Sequence, residues 1–495
     1  MNVQIDKNSS VPMYRQIVNQ IRNQIISGSL SAGYVLPPER KLAGQLGVNR
    51  TTVLNAYREL KAENLIGSHV GKGTIVQPIT DELIQAAPYS PGKPVWSHFY
   101  SDYSSQFDGY SISSIRELAG SNYQISFAAG TPNDSLLPSD LLKAINSELF
   151  NHKPGTGELL SPVEGYDELR QSIATYMCSK GTGCTPAEVM ILSGSQQGID
   201  LAARLFINPG DYIVVEEPSY FPALESFKTA GARLVGIPMD RDGMRTELLE
   251  EMLKRYRPKI IYTIPSYHNP SGATLSLPRR KELLEIAIRY NTLIIEDDAY
   301  GELCYDGQPL PTLKSMENIG YVIYISTFSK SVSPGLQTGW MITSKEVVGK
   351  ISGLRQMIDL QTSATSQKLC NQLLLSSRLE QHISERIKQY KERRDLAVAA
   401  LERYAPDGLQ WNPPAGGYYL WCRLPDGVSA RKLLEETKPE QVVFMPGNIF
   451  FLSSREDRYI RLNFVYPAKE DIDRGIKIIC DKIRGLISSQ FESSK

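Results

Sequence analysis

Five short polar runs hold the residues of this 495-residue chain that could do chemistry. In order they are Ser193-Gly194-Ser195-Gln196-Gln197-Gly198, Glu216-Glu217-Pro218-Ser219-Tyr220, Tyr267-His268-Asn269-Pro270-Ser271-Gly272, Glu296-Asp297-Asp298-Ala299-Tyr300 and Ser326-Thr327-Phe328-Ser329-Lys330. The first opens a helix with small residues, which leaves backbone N–H groups able to hold a phosphate; alone, it fits an ordinary helix start equally well. A lysine at one strand end is also commonplace, whereas an ordered series of five polar strand ends marks a site. Far upstream, Asn49-Arg50-Thr51-Thr52 begins another helix and offers a guanidinium and short donors. At the start of a helix that enters a major groove, such groups can meet guanine acceptors or a phosphate.

The elements that must position these residues are legible on both sides. Pro12 to Ile26 puts Met13, Ile17, Val18, Ile21 and Ile25 on one stripe, an amphipathic helix closed by Gly28. Pro38 suits the first turn of a short helix that Gly47 ends, and Asn49 caps the next, which runs to Leu60. Two helices joined by a tight Gly-containing turn make a helix-turn-helix. Residues 65–76 then read as a β-hairpin whose Gly71-Lys72-Gly73 turn is a basic wing. Further on, Met190–Leu192, Tyr212–Val215, Ile260–Ile264, Leu293–Ile295 and Val322–Ile325 are continuous apolar runs, with helix-like segments such as 279–290 between some of them. Runs of that kind belong to a mostly parallel sheet covered on both faces, an α/β body. Ligands of such sheets bind beyond the carboxyl ends of the strands, where the five polar runs stand. Residues 77–121, rich in Pro and Ser, read as a linker; Trp96, Phe99, Tyr100, Tyr103, Phe107 and Tyr110 predict that it lies partly against the body.

Composition agrees with this division. Lys plus Arg and Asp plus Glu both number 54, but residues 1–76 hold nine of the former and four of the latter, a net of +5 against −5 for the remainder. A basic head on an acidic body excludes a chain that is basic throughout and suits a nucleic-acid module fused to something else. No apolar run approaches the length of a transmembrane helix, and MNVQIDKNSS lacks the apolar stretch of a secretion signal, so a cytoplasmic protein is expected. Six scattered cysteines, none in a CxxC pair, predict neither a metal site nor a disulfide framework.

The stretch LPPERKLAGQLGVNRTTVLNAYREL with the GKGT wing resembles the GntR family of winged-helix DNA-binding domains over about residues 10–76. The resemblance implies that Arg40 contacts phosphate and that Asn49, Arg50, Thr51 and Thr52 face the groove. It implies too that His69 with Gly71 lies at a wing tip entering the minor groove. The motifs HNPSG, EDDAY and STFSK resemble the fold-type I aminotransferases over about residues 122–490. That family's cofactor is pyridoxal phosphate, which gives each residue an implied role. Lys330 forms the Schiff base, Asp297 binds the pyridinium nitrogen, and Tyr300 and Asn269 bond the phenolic oxygen. Tyr220 and Ala299 flank the ring, while Gly194, Ser195, Gln196 and Thr327 hold the phosphate. Arg461, in Tyr459-Ile460-Arg461-Leu462-Asn463-Phe464, grips an effector carboxylate, for which a bidentate fork suits better than lysine. Tyr418 and Tyr419 match a loop near the substrate and are read equally as core or ligand; Asp298 reads as a structural neighbour of Asp297, and His268 has no assigned role.

Two positions depart from the family pattern. Gln337 in Pro334-Gly335-Leu336-Gln337 stands where the family has an arginine on the phosphate, and Leu160 where many relatives have a tyrosine that reaches the partner's phosphate. A lost contact to a charged group costs about 1.5–3 kcal/mol, so a looser hold on cofactor is expected. The two halves together resemble the MocR subgroup of bacterial transcription regulators. This implies a winged-helix domain (1–76), a linker (77–121) and a pyridoxal-phosphate effector domain (122–495) with a large, mostly parallel sheet domain and a smaller α+β domain. It further implies a homodimer on double-stranded operator DNA, sensing an amine, an amino acid or the cofactor itself. A working aminotransferase that also binds DNA is the alternative; a body that no longer holds cofactor is a third reading.

Overall fold

The computed structural model describes residues 1, 3–6, 11–69, 73–78, 101, 117–118, 123–150, 161–376, 378–453 and 456–493. They fall into two compact units, Met1–Gly109 and Tyr110–Lys495. Leu160, the wing residues Val70–Lys72 and nearly all of the expected linker lie outside the described residues.

The first unit runs α1 (Met13–Ile26), β1 (Val35–Leu36), α2 (Glu39–Leu46), α3 (Arg50–Ala62), β2 (Ile66–His69) and β3 (Gly73–Val76). The strands form an antiparallel sheet in the order β1-β3-β2. Ile17, Val18, Ile21 and Ile25 of α1 are fully buried in one cluster with Val53, Ala56 and Leu60 of α3. Met13, expected on the same stripe, is 37% exposed; the packed stripe begins one turn later, at Ile17. Gly47 closes α2 in the left-handed region at φ +59°, which a residue without Cβ adopts at no steric cost. Asn49 occupies the N-cap of α3 but makes no side-chain cap. The Thr52 N–H bonds the Asn49 backbone carbonyl instead, at 3.0 Å. Pro38 likewise stands at the N-cap of α2 rather than in its first turn.

The second unit is built on an eight-stranded sheet. Its strands are β5 (Val189–Leu192), β6 (Tyr212–Glu217), β7 (Arg233–Asp240), β8 (Gly243–Met244), β9 (Ile260–Thr263), β10 (Leu293–Asp297), β11 (Val322–Thr327) and β12 (Gly339–Ile342), in the order β5-β12-β11-β10-β9-β6-β7-β8. Pairs β11–β10, β10–β9, β9–β6 and β6–β7 are parallel; β12 runs against both neighbours and β8 against β7. Neighbouring residues of one strand point to opposite faces, and both faces are covered. Ile213, Val215 and Ile295 pack in a cluster with Ile199 and Ala202 of helix Ser195–Phe206, whereas Val214, Ile261 and Ile294 pack with Leu283 of helix Leu277–Arg289. That double cover is why these strands read as continuous apolar runs.

A smaller antiparallel sheet has the order β13-β14-β17-β16, where β13 is Gln410–Trp411, β14 Tyr419–Arg423, β16 Met445–Pro446 and β17 Tyr459–Asn463. Alternate residues Leu420, Cys422, Ile460 and Leu462 are buried in one cluster with Ala397 and Leu401 of helix Arg378–Tyr404 and with Ile476, Ile479 and Ile483 of helix Ile472–Ser493. The intervening residues Tyr419, Arg461 and Asn463 take the other face. The pair β4 (Ile125–Ser126) and β15 (Val442–Val443) completes the unit. Among the described residues, no helix is long and apolar enough to cross a membrane.

Candidate functional site

Residues from all five polar runs meet in a cavity of about 160 Å³ at the carboxyl ends of the parallel strands, where Ser195, Tyr220, Asn269, Asp297, Ala299, Tyr300 and Lys330 are joined by Tyr419 and Arg461 of the smaller sheet. Asp297 is the last residue of β10, and Lys330 follows β11 on the short helix Phe328–Ser331. The register pairs Asp297 with Ile325, which sets the two functional side chains on adjacent strand ends.

Asp297 is 4% exposed. Its Oδ2 accepts from the Tyr262 hydroxyl at 2.7 Å, while Oδ1 is buried with no partner. Burial pushes its pKa up to about 6, against the pull of the Tyr262 hydrogen bond. The Lys330 ammonium donates to the Gly130 carbonyl at 2.8 Å. Burial lowers its pKa; Tyr419 and Asp297 oppose the shift, and Arg461 adds to it. Both displacements favour neutral groups, and a neutral amine is the nucleophilic form of lysine.

Arg461 donates to Asn269 Oδ1 at 3.0 Å and to the Ala128 carbonyl at 2.9 Å. Its guanidinium lies 4.2 Å from the Tyr419 ring centroid and 5.0 Å from that of Phe450, and its buried Nε has no partner. The Tyr300 hydroxyl meets that of Tyr419 at 3.1 Å. Tyr418 donates its hydroxyl to the Lys330 carbonyl and packs edge-on against Tyr300. The ambiguous tyrosine pair therefore divides: Tyr419 lines the cavity, and Tyr418 braces the lysine's backbone from the core. Asp298 turns elsewhere, accepting from Tyr324 at 2.8 Å.

At the anion end, Gly194 (φ +94°) is the N-cap of helix Ser195–Phe206. A Cβ on Gly339 would lie 2.6 Å from the Ser326 carbonyl and 3.1 Å from the Ser195 nitrogen, so only glycine lets β12 pass this close to the helix start. Three residues read at the phosphate end make their side-chain hydrogen bonds elsewhere. The Gln196 side chain points away, donating to Ser226 Oγ at 2.9 Å, which leaves its backbone N–H alone at that end. Thr327 is off the cavity wall, because its hydroxyl caps the short helix and donates to the Thr338 carbonyl at 3.1 Å. Gln337 is exposed in the left-handed region at φ +44°, and its amide N–H bonds the Pro334 carbonyl at 2.9 Å. Its Oε1, an acceptor, is the atom nearest a Cβ built on Gly194, at 3.8 Å.

Sequence reasoning missed the anchoring of the Asn269 loop. His268 and Glu216 are fully buried 3.2 Å apart. Glu216 also accepts from Thr263 Oγ1 and the Ile264 N–H, both at 2.8 Å, and His268 Nδ1 meets Ser271 Oγ at 2.9 Å. The signal was a histidine directly before Asn269 facing a carboxylate at the end of the β6 run.

In the winged-helix unit, Arg40, Asn49, Arg50, Thr51 and His69 are exposed and Thr52 is half-buried. Arg50 pairs with Glu39 of α2 at 3.7 Å, a counter-ion that sequence reading overlooked. The starts of α2 and α3 thus lie side by side.

The fold and site define a two-part class: a winged helix-turn-helix joined to an aminotransferase-like body with a lysine, an aspartate and an arginine in one cavity. Residues 13–76 match the model of the bacterial regulatory proteins of the gntR family, and residues 122–479 that of aminotransferase class I and II. The chain belongs to the class I and II aminotransferase family and bears a gntR-family head, the architecture of the MocR subgroup. It is 33% identical over 489 residues to the uncharacterized HTH-type transcriptional regulator YisV of Bacillus subtilis, covering 98% of this chain and 99% of YisV. It is 37% identical over 385 residues to aromatic-amino-acid aminotransferase 1 of Thermococcus litoralis, covering 76% of this chain and 92% of that one. Kynurenine aminotransferase of Pyrococcus horikoshii, solved with PMP, superposes with a TM-score of 0.76 at 35% identity, covering 79% of this chain and 98% of that one.

The cofactor of this fold is pyridoxal phosphate, and the residues present fit it. The unpartnered Asp297 Oδ1 lacks the donor that a protonated ring nitrogen would bring. The helix start at Ser195, kept open by Gly194 and Gly339, suits a phosphate.

Proposed function

We propose that the protein is a pyridoxal-phosphate-dependent transcription regulator whose effector is a small amine or amino acid. The observation that carries this is the union in one chain of a winged helix with a cavity that keeps Lys330, Asp297 and Arg461 together. The bound cofactor supplies a reversible covalent link to amines and an electron sink. Lys330 would supply the amine of that link and yield it to an arriving effector, and Asp297 would hold the ring nitrogen in its protonated form. Tyr220 and Ala299 would flank the ring, Asn269 and Tyr300 would serve its phenolic oxygen, and the Ser195 helix start would hold the phosphate. Arg461 swings from Asn269 to the effector's carboxylate. Residues 1–76 read DNA through Arg40, Arg50, Thr51, Thr52, Asn49 and His69, 77–121 link, and 122–495 sense. The protein works in the cytoplasm as a homodimer, since winged-helix heads usually read paired half-sites.

A second reading, an aminotransferase that also binds DNA, is favoured by the full set of Lys330, Asp297, Asn269, Tyr300 and Arg461 in the cavity or bonded to it. Two measurements on the purified holoprotein decide. Effector-dependent change in operator affinity that vanishes in Lys330→Ala supports the regulator. Keto acid released from an amino donor on repeated turnover supports the enzyme.

A further inference from the structure

The part of the cavity beyond Arg461 is apolar. Across the β16–β17 pair, Met445 stands directly opposite Arg461, and directly opposite residues of antiparallel strands share a face. Ile449 and Phe450 follow on the turn Gly447–Phe450, and Phe450 lies 5.0 Å from the guanidinium. Phe221 and Ile264 line the same cavity. The charged side chains on the cavity wall, among the described residues, are Asp297, Lys330 and Arg461. On the effector reading above, on which this step rests, Asp297 is engaged by the ring nitrogen and Arg461 by the α-carboxylate, while Lys330, once displaced, keeps the Gly130 carbonyl that it meets at 2.8 Å. What is left to receive the rest of the effector is apolar, Met445, Ile449, Phe450, Phe221 and Ile264 among it, apart from Tyr419, whose hydroxyl is already met by that of Tyr300 at 3.1 Å.

We infer that the effector is an α-amino acid with one carboxylate and an apolar side chain, read by Met445, Ile449 and Phe450. A second carboxylate or a side-chain ammonium would leave water for a wall with no group to pair it, and burying an unpaired charge is strongly disfavoured. Arg461 cannot serve both ends of a dicarboxylate, because its planar fork is filled by one carboxylate.

The test uses the full-length, cofactor-loaded wild type, so it does not hang on a variant's folding. L-Leucine, L-phenylalanine, L-glutamate and L-lysine are titrated separately, read by the absorption of the lysine-bound cofactor and by calorimetry. Leucine or phenylalanine should bind at least about tenfold tighter than glutamate and lysine. Ile449→Arg, at a half-buried site, should bring glutamate's dissociation constant down and leucine's up. Glutamate or lysine binding as tightly as leucine overturns this inference and leaves the effector reading standing. No response to any amino acid, by absorption or heat, overturns the effector reading and this inference with it.

Discussion

Asp297 and Lys330 are displaced in opposite directions by one cause, the loss of water around their charged forms. The Asp297 shift has a definite sign. Its folded-state pKa, about 6, lies above the ordinary 3.8, so the folded protein binds the proton more avidly than the unfolded chain. The stability this contributes is fully present below the ordinary value and is lost as pH rises through about 6. Two units correspond to about 3 kcal/mol as an upper bound. Apo protein should therefore lose stability relative to apo Asp297→Asn as pH is raised from about 4 to about 7, seen as diverging urea midpoints of the body's transition. Parallel midpoints would mean that Asp297 is ionised without cost. Gln337 acts at the other end of the cavity. One N–H of its carboxamide is bonded to Pro334 and its oxygen faces Gly194, so an anion there meets an acceptor in place of the guanidinium that the family resemblance implies. Gln337→Arg should tighten cofactor about tenfold, roughly 1.4 kcal/mol, in a fluorescence titration of apo protein. It should also make the protein less responsive to cofactor supply. Equal dissociation constants for wild type and variant would show that another group already neutralises the phosphate.

Elements explain which parts of the fold and site were legible. The central strands were, because Val214 and Val215 face different helices and both must be apolar. The winged-helix head was legible too, since Ile17, Ile21 and Ile25 of α1 recur at helical spacing and Gly47, between α2 and α3, must turn left-handed. β12 was not: four residues, Gly339–Ile342, running against both neighbours carry too little pattern, although they form one side of the anion end. Nor were the hydroxyl and amide details at Thr327, Gln196 and Gln337, which depend on partners 11, 30 and 3 residues away that no periodicity reveals. Tyr418 and Tyr419 are adjacent in sequence yet face a core and a cavity, a division that only the pairing of β14 with β17 fixes. Element geometry also shapes the DNA-reading prediction. Arg50 begins α3 and is held toward α2 by Glu39 at 3.7 Å, with 53% of its side chain exposed. The pair is weak at such exposure and yields to a phosphate or guanine edge. Arg50→Ala should cost about 1–3 kcal/mol of operator affinity, measured by anisotropy. If Arg50 meets a phosphate, the loss is uniform across sequences and the salt slope falls by about one; if it meets guanine, discrimination relaxes at one base pair. An unaltered affinity would remove α3's first residue from the interface.

At the scale of the whole molecule, a head carrying +5 and a remainder carrying −5 give the two ends of the chain different partners. Operator affinity should fall steeply with salt, because cationic contacts release counterions from DNA. An effector of no net charge bound in the body, such as an α-amino acid with an apolar side chain, should shift the affinity without changing that slope. If binding at the Lys330 cavity alters the head's hold on DNA, the coupling is reciprocal by thermodynamic necessity: the operator must alter effector affinity by the same factor. Couplings of this kind usually span about 1–3 kcal/mol, or 5–150-fold. The measurement is a pair of titrations on one preparation. Effector is titrated against the absorption of the lysine-bound cofactor with and without saturating operator, and operator is titrated by anisotropy with and without saturating effector. The two ratios should agree, and the operator ratio should fall to one in Lys330→Ala while its affinity for operator without effector stays close to wild type. A ratio of one in the wild type, with effector bound, would mean that the cavity and the head share a chain without sharing a conformational equilibrium. The aminotransferase reading would then be the stronger one, since a catalytic cavity needs no differential contact with two states of the head.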